Sequence, residues 1–90
     1  MNADKNLIKE VQKRVGKNGI DKTILDYSPL RRLTYEDASN VLSEGKRYGG
    51  LGMNPKAMDL ERKINKMLKK DKGDKKLDKH DLYKLVELIS

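Results

Sequence analysis

Ninety residues with a formal net charge of +7, 39% of them charged and 36% hydrophobic, leave room for one small core. Leu, Ile, Val and Met must pack it, because the aromatic complement is four tyrosines. The lack of cysteine excludes disulfide staples and thiolate metal sites and suits a reducing compartment, so a cytoplasmic location is expected.

Charges at Asp4, Lys5, Lys9, Glu10, Lys13, Arg14 and Lys17 interrupt the first twenty positions, so no apolar signal core is expected there. No later run is long enough for a membrane span. Leu7, Ile8, Val11 and Val15 recur at helical spacing and predict an amphipathic helix over 4–15, stopped by Gly16 and Gly19. Asp21 is placed to cap a second helix of about two turns carrying Ile24, Leu25 and Tyr27, with Pro29 ending it. Thr34 and Asp37 form a short-armed capping box, and the stripe Tyr35, Ala38, Val41 and Leu42 predicts a third helix to about Arg47.

Three glycines in Tyr48-Gly49-Gly50-Leu51-Gly52-Met53 break the pattern. The expected organisation is therefore a three-helix subdomain over 1–48, a glycine-rich connector over 49–53 and a basic helix–loop–helix hairpin over 54–90, sharing one core. Asn54-Pro55 is a strong helix start, cap followed by the residue whose missing N–H does no harm in the first turn. Ala57, Leu60, Ile64, Met67 and Leu68 give the fourth helix its apolar stripe. Asp78 and Asp81 open a fifth, in which Leu82, Leu85, Val86 and Ile89 repeat at i, i+3, i+4, i+7. The fourth and fifth stripes are expected to pack against each other. With no alternating apolar and polar run, the expected class is all-α, a compact bundle of about five short helices.

The charge has an address. Residues 1–45 hold eight Lys/Arg against seven Asp/Glu, whereas residues 46–90 hold thirteen against seven. Arg62, Lys63, Lys66, Lys69 and Lys70 lie opposite the fourth helix's apolar stripe, and Lys72, Lys75 and Lys76 continue the track into the loop. Such a track displaces counterions from a nucleic-acid backbone; the same lysines also describe a solvated helix face. Lysine outnumbers arginine there, so binding directed at phosphates rather than bases is expected. Arg47 and Tyr48, followed by two glycines, resemble the mixtures that stack on single-stranded bases, a pattern that more often marks a flexible connector.

Two resemblances add to this. Asp74, Leu77, Asp78, Asp81 and Leu82 resemble the later part of an EF-hand or dockerin-type calcium loop and its exiting helix. Lys70 and Lys72 fall on the first and third ligand positions and Lys75 replaces the turn glycine, so a degenerate, metal-free helix–loop–helix is what this resemblance implies. His80 stands without a second ligand or a nucleophile and takes no role. Over residues 5–48, Leu7-Ile8-Lys9-Glu10-Val11, Gly19-Ile20-Asp21, Ile24-Leu25-Asp26-Tyr27 and Leu33-Thr34-Tyr35-Glu36-Asp37-Ala38-Ser39 are similar to a small helical module appended to phage single-strand-annealing and other phage DNA-metabolism proteins. That resemblance implies company with DNA-processing proteins and carries over no annealing activity.

The expectation from the sequence is a non-enzymatic accessory protein of phage or mobile-element type, without cofactor or metal, that binds nucleic acid, DNA rather than RNA. A protein-interaction adaptor using the C-terminal hairpin, or pairing with itself, is the alternative. No catalytic arrangement of side chains is recognisable in the chain.

Overall fold

A computed structural model describes the backbone of residues 2–49 and 51–90, with the side chains of 5–47, 51–52 and 54–90. Its helices are α1 (Asn2–Asn18), α2 (Ile20–Asp26), α3 (Ser28–Arg31), α4 (Tyr35–Gly49), α5 (Pro55–Lys69) and α6 (Lys79–Ile89), with a 3-10 turn at Leu51–Met53. Among the described residues there is no strand beyond one isolated antiparallel bridge, Thr34 with Lys76. The all-α class expected from the sequence is the class observed.

The amino-terminal third departs from expectation in three places. α1 runs through Gly16 and ends only before Gly19; Gly16 is exposed in open space, and a helical glycine there costs only about 1 kcal/mol relative to alanine. Gly19 makes the break, at φ 87°, a conformation that disfavours a β-carbon. Gly19, and not Asp21, is the N-cap of α2; Asp21 sits in its first turn. Pro29 does not close α2, which ends at Asp26. It sits in the first turn of the one-turn helix α3, where a missing N–H is harmless.

The buried side of α2 is set by Ile20, Thr23, Ile24 and Tyr27, which follow the i, i+3, i+4, i+7 rule. Leu25 falls off that face and is 68% exposed. Thr23 takes the buried place, its hydroxyl donating to the Gly19 carbonyl at 2.7 Å.

The remaining helices follow their sequence signals closely. The Thr34 hydroxyl accepts from the Asp37 amide at 3.1 Å and the Asp37 carboxylate accepts from the Thr34 amide at 3.0 Å, completing the box that starts α4. Asn54 Oδ1 accepts from the Lys56 amide and Asp78 Oδ1 from the Asp81 amide, capping α5 and α6. Tyr35, Ala38, Val41 and Leu42 join Ala57, Leu60, Ile64, Leu82, Leu85, Val86 and Ile89 in one buried cluster that also takes in Val11, Leu30, Leu33 and Leu51. Met67 and Leu68 lie partly buried at its edge.

α5 does pack on α6, but its larger neighbour is α4, back along which it runs. Lys46 on α4 pairs with Glu61 on α5. The 3-10 turn seats Leu51 in the core against Gly45, where a β-carbon would lie 2.5 Å from Leu51 Cδ1. Of the connector expected over 49–53, Gly49 is instead the last residue of α4, Leu51–Met53 form the 3-10 turn, and Gly50 lies outside the described residues.

Candidate nucleic-acid interface

α5 ends in a Schellman arrangement: the Asp71 amide donates to the Leu68 carbonyl at 3.1 Å and the Lys72 amide to the Met67 carbonyl at 3.0 Å. Asp71 holds the left-handed position at φ 60°, which aspartate tolerates better than most residues. The chain then turns onto the start of α4. Tyr35 N–H donates to the Lys75 carbonyl (3.0 Å), Glu36 N–H to the Gly73 carbonyl (2.9 Å), and Leu77 N–H to the Leu33 carbonyl (3.0 Å). Two of the unpartnered amides of the α4 N-terminus are thereby satisfied by the lysine-rich loop, and Leu33 and Leu77 meet over the core edge.

Beneath this junction lies a polar group that the sequence reading did not find. The Tyr35 hydroxyl, buried, donates to Asp81 Oδ2 at 2.7 Å, and Lys63 Nζ reaches the same oxygen at 3.0 Å. Asp81 is 3% exposed, so α4, α5 and α6 are joined at one desolvated carboxylate. Lys63 also lies 3.8 Å from Asp78. Burial, and then the hydrogen bond to Asp81, hold the Tyr35 phenol above its ordinary pKa. The Asp81 carboxylate holds the Lys63 ammonium above the usual lysine value, and the amide of Asp81 holds Asp78 below the usual carboxylate range. Asp81 looks in sequence like a cap or loop acid; nothing local announces that its partner lies 46 residues away.

The proposed phosphate contacts divide into three groups. Lys66, Lys69, Lys70, Lys72, Lys75 and Lys76 are exposed, gathered where α5 ends against the start of α4, and none makes an ion pair with a carboxylate among the described residues. Lys63 and Arg62 are engaged: Lys63 with Asp81, Arg62 with Asp59 at 3.6 Å on the open helix surface. Arg47 lies near the other end of α4, about 18 Å along the helix axis from Tyr35 at 1.5 Å per residue. Tyr48 follows it in the same helix, and its side chain lies outside the described residues. Neither is brought to the lysine cluster.

Lys66 and Lys69 occupy the last turn of α5, where they complement the negative end of its macrodipole. That accounts for two of the six cations. Lys72, Lys75 and Lys76 lie beyond the helix, on a connection fixed by backbone hydrogen bonds. Among the described residues there is no group of three or more His, Cys, Asp or Glu placed to hold a metal ion. No described helix is long and apolar enough to cross a membrane. Comparison with protein-family models, with curated proteins and with solved structures gives no match in any of the three.

Proposed function

We propose that this protein is a non-enzymatic nucleic-acid-binding accessory factor of the phage or mobile-element type. It would hold DNA by its phosphates at the end of the bundle where α5 meets α4. The observation that carries the reading is the concentration of six exposed lysines, none in an ion pair among the described residues, on one corner tied down by backbone hydrogen bonds. Ammonium groups gathered at one corner in excess over the neighbouring acids gain from replacing bound anions with a polyphosphate. Lysine, a point charge without a planar fork, fits backbone attraction more than base reading.

An adaptor using the C-terminal hairpin would work through a surface other than Leu82, Leu85, Val86 and Ile89, which pack in the core. Among the described residues the exposed large apolar side chains are Leu25, Met58 and Tyr83, and Leu25 and Tyr83 line a shallow depression between α2 and α6.

The test is a charge reversal of Lys66, Lys69 and Lys70 to Glu, read by fluorescence anisotropy with labelled DNA. These side chains are exposed, so the helical circular-dichroism signal should be unchanged while affinity falls at least tenfold. Wild-type affinity in a folded triple variant would contradict the proposal.

A further inference from the structure

We propose that the phosphate-binding face is composite, with Arg31 and Arg32 as its second arm, and that its ligand is a double-stranded nucleic acid. This rests on the function proposed above and goes beyond it in residues and in strandedness.

The first observation is register. Thr34 bridges Lys76 in antiparallel sense, and Leu33 accepts from Leu77, so the short segment from α3 to α4 lies alongside the loop from α5 to α6. Bridged residues stand about 5 Å apart and chain neighbours advance about 3.3 Å, which sets the backbone of Arg32 within about 10 Å of that of Lys76. In sequence these residues are far apart; only the docking of the loop makes them neighbours.

The second observation is availability. Arg31 and Arg32 are exposed and make no ion pair among the described residues. Asp78, the acid nearest in register, directs one oxygen to the Asp81 amide and the other towards Lys63. Segments 31–36 and 66–76 together hold eight Lys/Arg against Glu36, Asp71 and Asp74, an excess of five. Arginine adds what the lysine track lacks, a planar fork that grips one phosphate through two N–H groups.

Strandedness follows from where the tyrosines are. Single-stranded bases are held by stacking on exposed aromatic rings within a cationic groove. Tyr35 is buried on Asp81, Tyr27 is half-buried under the Arg14 guanidinium at 4.6 Å, and Tyr83 lies beside Ile24 and Leu25. Tyr48 belongs to the far end of α4. A cationic face whose nearest ring, Tyr35, is buried in the core suits a duplex, whose bases already stack on one another and whose phosphates are presented in two rows.

The experiment titrates wild-type protein and the double variant Arg31→Ala/Arg32→Ala against a labelled duplex and its separated strand at several salt concentrations. Folding is checked by circular dichroism. Wild-type protein should bind the duplex more tightly than the strand. The double variant should lose about tenfold in duplex affinity, and its log–log salt slope should be shallower by about 2, one unit for each lost phosphate contact. If wild-type protein binds no oligonucleotide at low salt, the underlying function falls and this inference with it. If wild-type binds and the Lys66/Lys69/Lys70 reversal abolishes binding, yet the arginine variant keeps its affinity and slope, the composite face alone is overturned. Tighter binding of the strand than of the duplex overturns the assignment of strandedness.

Discussion

Replacing Tyr35 with Phe removes one oxygen from the buried junction and leaves the ring packing intact. That oxygen donates at 2.7 Å to a carboxylate that is almost wholly desolvated, a charge-assisted bond of the kind worth about 1.5–3 kcal/mol. Lys63 remains on the same carboxylate oxygen at 3.0 Å, so the charge keeps one partner and the loss belongs at the lower end, about 1.5–2 kcal/mol. For a domain of this size that lowers Tm by about 6–16 °C. The effect should also carry a pH signature. Tyr35 and Lys63 both have folded pKa values raised above their unfolded ones. Their contributions are therefore fully present below about pH 10, the unfolded value of each, and are lost as pH rises through the folded values. Urea denaturation followed by circular dichroism between neutral pH and about pH 11 should show wild-type stability falling on the alkaline side, and a shallower fall in Tyr35→Phe. A double cycle with Lys63→Met should be non-additive, since both partners converge on one oxygen. A variant within about 0.5 kcal/mol of wild type, with the same alkaline profile, would refute the view that this carboxylate ties the three helices together.

Leu85→Ala, at a wholly buried position in the α6 stripe, should cost about 2–5 kcal/mol in the same denaturation assay; a loss below about 0.5 kcal/mol would place the stripe at a surface. Asp78→Ala should remove about 1 kcal/mol by uncapping α6. Because the folded pKa of Asp78 is depressed, that difference should be present above the ordinary aspartate value and shrink as pH falls below about 4. Millimolar calcium should leave Tm unchanged, because Asp81 is occupied by Tyr35 and Lys63 and the first and third loop positions carry ammonium groups; a calcium-dependent rise would contradict this.

Local chemistry made most of the helices legible. Thr34-Asp37, Asn54-Pro55 and Asp78-Asp81 are caps whose partners lie within three residues, so the starts of α4, α5 and α6 follow from short sequence windows. The apolar stripes of these helices fill the core as periodicity predicts. Spacing alone did not choose between Gly16 and Gly19: both stand in open space, and the break falls at Gly19, at φ 87°.

The site was half legible. The lysines of the α5 end and its loop could be found by counting charge, but their anchoring to the α4 N-terminus is a long-range backbone pairing with no periodic signature. The same pairing brings Arg31 and Arg32 into reach, while Arg47, selected for its glycine neighbours, lies along α4 at the other end. Lys63 shares the exposed stripe of Lys66 by spacing alone. Its engagement depends on Asp81, which the fold buries.

The central claim, that the lysine corner exists to hold polyphosphate, is tested most directly by the salt dependence of duplex DNA binding by the unmodified protein. Anisotropy titrations between about 50 and 200 mM salt should give a log–log slope of about −3 to −5, corresponding to four or five phosphate contacts. Absence of binding at the lowest salt, or binding with a slope near zero, would contradict it.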